Sequence, residues 1–252
     1  APFVEGHRWP TSITVALKAP RRRGPMTLSS PSGLIRAASL AVVAICATSG
    51  GPLLALAATI DEAFNPLVGT LSTKAEPTFR GGDLVGCTLV YAALARDFIY
   101  KQGAFVAIRG SFGLVAESRN VGVTLKVVVQ DIDPNTAQLK PTTAYLVSGD
   151  GTSKDALISA ASSDTDGGFS AIFKAEQTLE MLLQGISDDE VTIAFARTVG
   201  GTDMKVSIET DVVETARDGK RTRSPEPATS FLECSNSLME TVRKSERGEL
   251  TP

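Results

Sequence analysis

Alternation of apolar and polar residues is the feature of this sequence that most constrains its fold. Over residues 121–130, valine or leucine stands at every second position, with mostly small or polar residues between. A period of two residues is typical of a β-strand with one buried face. The same pattern predicts strands in four further stretches, which are residues 84–94, 104–114, 143–148 and 168–174. The chain therefore predicts a mainly β domain.

Glycines and prolines mark where the predicted strands turn or stop. Residues 191–195 and 204–208 alternate on either side of a Gly-Gly-Thr-Asp turn, which predicts an antiparallel hairpin. Gly110 and Gly113 predict a bulge or bend in the strand at 104–114. Residues 58–82 contain two prolines and predict a lead-in segment with one short strand at 67–73.

Two stretches show helical periodicity instead. Residues 175–184 place three leucines on one face, and Gly185 follows in the position of a left-handed C-cap. A second helix is predicted to begin at Ser224-Pro225-Glu226, and its apolar face includes Cys234. Short antiparallel strands with two helices predict an antiparallel β-sandwich or half-barrel.

Cys87 and Cys234 are predicted to form a structural disulfide. Cys87 falls on the inward face of the first predicted strand, and Cys234 on the apolar face of the last helix. In an oxidising compartment, two thiols on packed faces are expected to pair, whereas a redox role would need a close CxxC pair. The bond would pin the C-terminal helix to the sheet and contribute about 2–4 kcal/mol. Two separate buried thiols are the alternative.

A charge-free apolar stretch at residues 37–60 predicts an export signal. Met26 and Arg36 precede this stretch, a Ser-Gly-Gly-Pro break interrupts it, and Ala55-Leu56-Ala57 offers a cleavage site. We therefore expect a signal peptide at 26–57 and a disordered or spurious extension at 1–25. A twin-arginine signal, a lipoprotein through Cys46 and an uncleaved membrane anchor are the alternatives.

The rest of the chain is predicted to form one exported unit. The lead-in at 58–82 is followed by a single β-rich domain at 83–247 and a tail at 248–252. The domain is long enough for a proper core. We expect it in the periplasm or secreted, with the membrane involved only through the export signal.

The inventory of residues 58–252 excludes several classes of function. It holds 27 acidic and 19 basic side chains, a net charge of −8, which repels nucleic acid. The only histidine, His7, lies upstream. Without histidine, Ser-His-Asp and Cys-His nucleophile systems and histidine-ligated zinc are excluded. Carboxylate, lysine, serine and tyrosine chemistries stay possible.

Asp131, Asp133 and Asn135 are the weak candidates for a calcium site. Their spacing matches the opening of a calcium loop, but Thr136 stands where glycine is needed and Thr142 where a bidentate glutamate belongs. Turn formation alone accounts for these residues. No metal, cofactor or catalytic residue is therefore expected.

Three other clusters have simple structural interpretations. The acidic triplet at 188–190 could serve a glycosidase, although it is more typical of a solvated turn. A basic loop at 217–223 could bind an anion or an acidic partner. An aromatic cluster could form a contact patch or ordinary core, and its members are Tyr91, Phe98, Tyr100, Phe105 and Phe112.

The C-terminal third resembles the small secreted proteins of the invasion-associated locus B type and related accessory proteins of type VI secretion. The resemblance lies in the helix with Leu179-Glu180-Met181-Leu182-Leu183, the hairpin at 191–210, and Phe231-Leu232-Glu233-Cys234 with Leu238 on a closing helix. It covers about 65 residues, and the family's additional cysteines are not present. It implies a periplasmic or secreted β-sandwich that acts through surface contacts.

The sequence thus predicts an exported, non-catalytic binding or envelope-accessory module, with an unidentified protein or small ligand as its partner. A carboxylate-dependent hydrolase is one alternative. A membrane-anchored structural protein is the other, if the apolar stretch is not cleaved.

Overall fold

A computed structural model describes residues 59–247, apart from residues 118, 119, 134, 150, 164 and 166. This part of the chain is mainly β, and its antiparallel sheets do not close into a barrel. The predicted fold class is confirmed, with one short helix in addition to the two expected. The predicted extension at 1–25, the signal peptide at 26–57 and the tail at 248–252 lie outside the described residues.

Twelve strands and three helices follow one another in the described chain. The strands are β1 Gly69–Arg80, β2 Asp83–Asp97, β3 Ala104–Glu117, β4 Asn120–Asp131, β5 Thr143–Ser148, β6 Gly151–Thr152, β7 Leu157–Ser162, β8 Gly168–Lys174, β9 Glu190–Ala196, β10 Met204–Glu209, β11 Val212–Thr215 and β12 Arg221–Arg223. The helices are α1 Ile60–Phe64, α2 Ala175–Ser187 and α3 Glu226–Glu246.

The strands form two main sheets and one small hairpin. The larger sheet has the order β1-β2-β3-β4-β8-β7, so that β1 and β7 are its edges. The smaller sheet has the order β10-β9-β5-β6, and β10 is one of its edges. The β11–β12 hairpin packs against β1. Every pair of neighbouring strands is antiparallel, as the hairpin connections require.

The core forms on the face of the larger sheet that carries the predicted apolar positions. Along β2, Cys87, Leu89 and Tyr91 are buried, while Thr88 and Val90 between them are partly exposed. Helix α3 packs on β1 and β2, and α2 packs on β5 and β9. Among the described residues, five aromatic side chains are fully buried: Tyr91, Phe112, Phe173, Phe195 and Phe231. Each buried aromatic or large aliphatic side chain contributes roughly 1.5–3 kcal/mol.

The bulge or bend predicted at Gly110 and Gly113 is wrong. β3 keeps an unbroken register with both neighbours. The glycines instead permit a close approach of backbones, since a Cβ at Gly113 would overlap the Cys87 carbonyl oxygen. A Cβ at Gly110 would overlap the Lys126 carbonyl oxygen, which accepts a 3.1 Å hydrogen bond from the Tyr91 hydroxyl. Glycine is required here for space and not for a turn.

The C-cap predicted at Gly185 is also wrong. Helix α2 continues through Gly185 to Ser187, and Asp189 adopts the left-handed conformation with φ of 57°. A Cβ at Gly185 would lie 2.8 Å from the Glu190 carbonyl oxygen. The glycine therefore lets the following strand fold back tightly against the helix.

The short strand predicted at 67–73 is the beginning of a longer one. β1 runs for 12 residues and pairs with β2 almost throughout. Its later half contains Lys74, Glu76 and Pro77, which break the apolar alternation because this part of an edge strand is largely exposed. β7, β11 and β12 were not predicted for the same reason, since none has a clear buried face over its length.

The disulfide between Cys87 and Cys234 is confirmed. It joins β2 to α3 with the two Cα atoms 5.8 Å apart, and it spans 147 residues of sequence. Across the described residues, we find no helix with the length and apolar character needed to cross a membrane.

Candidate functional site

The three calcium candidates do not converge on one point. Asp131 ends β4, and both oxygens of its carboxylate accept hydrogen bonds from Arg197. Asp133 accepts from the Asn135 backbone and side-chain nitrogens and from the Thr136 hydroxyl. The backbone hydrogen bond from Asn135 is the main reason that the pKa of Asp133 lies below its usual value. The described residues contain no cluster of three or more carboxylate, cysteine or histidine side chains suited to a metal.

A buried ion cluster, absent from the sequence-based predictions, centres on Arg197 near the end of β9. The Arg197 Nη1 lies 2.7 Å from an Asp97 carboxylate oxygen, and Nη2 lies 2.7 Å from an Asp131 carboxylate oxygen. Its Nε and Nη2 also donate to the Leu139 carbonyl oxygen. Burial opposes the charge, but the hydrogen bonds with Asp131 and Asp97 outweigh it and hold the pKa of Arg197 above its usual value.

This cluster positions a turn on the surface. Asp97 uses its second oxygen to accept from the backbone nitrogens of Ile99 and Tyr100, at 3.0 and 2.7 Å. Arg197 thus holds Asp97, and Asp97 holds the turn that connects β2 to β3. All the donors of Arg197 have acceptors, so the cluster is a structural lock and offers no free group to a substrate.

The basic loop is largely occupied by structural contacts. Arg223 pairs with Asp211 at 2.6 Å and with Glu209 at 3.0 Å, while Arg221 donates to the Val68 and Thr70 carbonyl oxygens. These two side chains tie the β11–β12 hairpin to β10 and β1. The anion site considered from the sequence would have to rely on Arg217 and Lys220 alone.

A third polar cluster joins the residue before β10 to β5 and to the segment before β7. Asp203, just before β10, accepts from the Tyr145 hydroxyl at 2.6 Å and from the Lys154 ammonium at 3.0 Å. Desolvation raises the pKa of Asp203, but the hydrogen bonds from Tyr145 and Lys154 lower it further, so that the net shift is downward. Lys154 also lies 4.2 Å above the Tyr145 ring. The carboxylate is therefore held as an anion, which suits an ion pair better than acid catalysis.

An open groove of about 400 Å³ lies between the larger sheet and β10. Most of its lining is apolar, and none of the lining residues has a carboxylate: Val68, Gly69, Leu94, Ala95, Arg96, Phe98, Ile99, Met204, Lys205, Val206 and Ser207. Phe98 and Ile99 stand on the turn fixed by Asp97, with 74% and 43% of their surface exposed. Of the aromatic cluster, Tyr91, Phe105 and Phe112 are core, and Phe98 is the exposed member.

The groove is bordered by two strand edges that have no partner strand in the described chain. β1 begins at Gly69 opposite Leu94, so residues 95–97 of β2 pair only with β3. β10 pairs only with β9. Consecutive residues of both strands line the groove, although neighbouring side chains point to opposite faces of a sheet. The groove is therefore lined by the backbone edges of the two strands as well as by side chains.

The direction of one hydrogen bond identifies which backbone groups point into the groove. The Glu209 N–H donates to the Thr70 hydroxyl at 2.8 Å, and it therefore points away from β9. N–H groups two residues apart in a strand point to the same side. Lys205 and Ser207 consequently direct their backbone groups towards the groove. Sequence patterns could not find this site, because it is made of backbone edges from distant segments.

Comparison of the chain with protein-family models, with curated proteins and with solved structures finds no match to any of them.

Proposed function

We propose that this protein is an exported, non-catalytic binding module that captures an extended polypeptide segment in the groove between β2 and β10. The observation that carries the proposal is the pair of strand edges facing one apolar groove. An extended segment would add a strand to β10 and bond to the backbone groups of Lys205 and Ser207. Main-chain hydrogen bonds supply affinity in this mode of recognition, and alternate side chains supply specificity.

The groove restricts the chemistry of the segment it would take. The lining run at 204–207 is about 13 Å long at roughly 3.3 Å per residue, so it matches a segment of about four residues. Every second side chain of that segment would face the apolar lining of the groove and should be apolar. The charged lining residues are Arg96, which already pairs with Asp61 at 3.1 Å, and Lys205, whose charge favours a neutral or acidic side chain at the remaining positions.

The composition of the groove favours binding over hydrolysis. A carboxylate-dependent hydrolase needs two acids across a cleft, and no lining residue supplies one. Asp97 and Asp131, the buried acids of the described residues, are held by Arg197 away from solvent. We therefore prefer the binding module to the hydrolase.

The proposed location rests on two supports. The apolar stretch at 37–60 has the layout of a cleaved export signal, and a disulfide is consistent with an oxidising compartment. The resemblance to proteins of the invasion-associated locus B type leads to the same proposal, an envelope-accessory role through surface contacts. N-terminal sequencing of protein from the native host should find a start near residue 58, whereas retention of residues 26–57 would contradict cleavage.

Binding can be tested with peptides selected from a random display library on the purified protein. We expect the selected peptides to be extended, with apolar residues at alternate positions. Phe98→Ser removes the exposed rim, and Ser207→Pro removes an N–H that points into the groove without removing a bond to β9. Val199→Ser is the matched control, because Val199 is 91% exposed and does not line the groove.

Loss of one backbone hydrogen bond should weaken binding by about 1 kcal/mol, or roughly fivefold. Phe98→Ser should weaken it by at least as much, and Val199→Ser should leave it unchanged. Selected peptides that bind all three variants as tightly as the parent protein would contradict the proposed site.

A further inference from the structure

The opposite end of the larger sheet presents a second open edge, formed by β7. All six residues of β7 are exposed, including Leu157 at 46% and Ile158 at 58%. The strand pairs with β8 on one side, and no other strand of the described chain lies on its outer side. Both its outer backbone groups and its apolar side chains are therefore accessible.

The edge lacks the features that normally keep exposed strands apart. Residues 156–163 read Ala-Leu-Ile-Ser-Ala-Ala-Ser-Ser and contain no charge and no proline. Soluble proteins usually place a charged residue, often lysine, or a proline on such an edge to prevent pairing with another chain. The single irregularity is a register shift between Leu157 and Ser159, which leaves residues 159–162 regular.

We propose that β7 pairs with β7 of a second copy of this chain, which makes the protein a twofold symmetric dimer. A twofold axis places the same strand on both sides of the junction. Because β7 has no charge, this pairing sets no like charges opposite each other. That matters in a domain with a net charge of −8 over residues 58–252, since most other surfaces would repel their own copy.

The hydrogen bonds to β8 fix the register of this pairing. The Ser163 N–H donates to the Gly168 carbonyl oxygen at 2.9 Å and so points towards β8. By the two-residue repeat, the N–H groups of Ala160 and Ser162 point outward. A twofold axis at Ala160 then lets the two copies of Ala160 exchange a pair of hydrogen bonds. In the same register, Ser162 lies opposite Ile158 of the second copy.

The other edge of the sheet explains why pairing would stop at two copies. β1 has charges and a proline along its length, and the β11–β12 hairpin packs against it. Because β7 is the one edge strand of the described larger sheet that is open along its whole length, edge pairing closes as a dimer and does not continue as a filament. Six residues make a small junction, so the dimer should be weak and reversible.

Sedimentation equilibrium of the purified chain over a concentration series tests the dimer. Ala160→Pro removes the outward N–H and should leave the protein monomeric. Ala160→Lys and Ala160→Glu each place like charges opposite each other at the axis and should weaken self-association by about fivefold. An equal mixture of the two should recover association, which a variant that merely misfolds would not do.

Cysteine cross-linking in a Cys46→Ser background tests the register. Cα atoms of directly opposite, hydrogen-bonded residues lie about 5.5 Å apart, so Ala160→Cys should form a disulfide-linked dimer. For Ala161→Cys the corresponding distance is about 8 Å, too long for a disulfide. A chain that is monomeric at every concentration, a dimer unaffected by Ala160→Pro, or equal cross-linking of the two cysteine variants would overturn the proposal. None of these outcomes bears on the groove at β10.

Discussion

β1 and β7 are the two edges of the same sheet, but they differ in every feature that controls pairing. β1 contains Lys74, Glu76, Pro77 and Arg80, whereas β7 contains no charge and no proline. β1 is also covered: the Thr73 hydroxyl contacts the Thr210 and Val212 carbonyl oxygens, each at 2.9 Å. The fold therefore closes the β1 side of the larger sheet and leaves β7 and β10 open. We place both proposed interaction surfaces on the open edges.

The first prediction tests the structural lock beside the open edge of β10. Arg197→Met removes the guanidinium that pairs with buried Asp97 and Asp131 and leaves Lys101, 3.8 Å from Asp131, as the nearby cation, which should destabilise the protein by about 3–5 kcal/mol. The free energy of unfolding from urea titration measures the effect. Arg109→Met, an exposed arginine on β3, should change it by less than about 0.5 kcal/mol. Equal effects of the two variants would contradict the assigned role of Arg197.

The second prediction tests the helix that covers the β1 side. Replacing Cys87 and Cys234 together by alanine frees α3 from β2 and should cost about 2–4 kcal/mol of stability. Thermal or urea unfolding measures this loss, and Asn236→Ala, at an exposed position on the same helix, should show none of it. A double variant as stable as the parent would mean that packing alone holds α3 in place.

The third prediction concerns the contact between β1 and the β11–β12 hairpin that packs against it. Thr73→Val keeps the shape of the side chain but removes the one hydroxyl proton that the Thr210 and Val212 carbonyl oxygens share, which should cost about 1–3 kcal/mol. Thr78→Val, at the exposed end of the same strand, is the matched control and should be nearly neutral. If both variants behave alike under urea titration, the hairpin does not protect the β1 edge in the way described.

The smallest effect is expected from the ion pair that joins the beginning of β10 to the residues before β7. Since the pKa of Asp203 is lowered in the folded protein, its contribution is present above the unfolded pKa and is lost as the pH falls through the folded pKa. The Lys154 side chain is half-exposed, so the loss should stay below about 1 kcal/mol. Asp203→Asn should flatten the acid limb of the stability–pH curve, and an unchanged limb would exclude this contribution.

The sequence predicted the strands and helices of the core well. An element with one buried face repeats its apolar residues at a regular spacing, and this spacing is visible in the sequence. The alternation over 121–130, the hairpin at 191–208 and the face of α3 with Cys234 all fold as predicted. β7, β11 and β12 escaped prediction because they have no single buried face, whereas the edge strand β10 alternates regularly and was predicted. Gly110 and Gly185 were misinterpreted, because a glycine that makes room for a neighbouring strand looks the same in a sequence as a glycine that a turn needs.

The sites escaped prediction for a related reason. Arg197, Asp97 and Asp131 are far apart in sequence and meet only where three strands end. The groove depends on which backbone N–H and C=O groups have no partner strand. The identity of the side chains does not show where such groups lie. Phe98 was the one residue of the groove that stood out in the sequence, as a member of the aromatic cluster.

Residue-resolved amide exchange with a selected peptide tests the central claim most directly, namely that the open edge of β10 binds an extended segment. The Lys205 and Ser207 amides should exchange quickly in the free protein. With the peptide at about ten times its Kd, their exchange should slow by about an order of magnitude, while the amides of residues 74–80 of β1, which do not line the groove, stay unchanged. Unchanged exchange at Lys205 and Ser207 under saturating peptide would contradict the account.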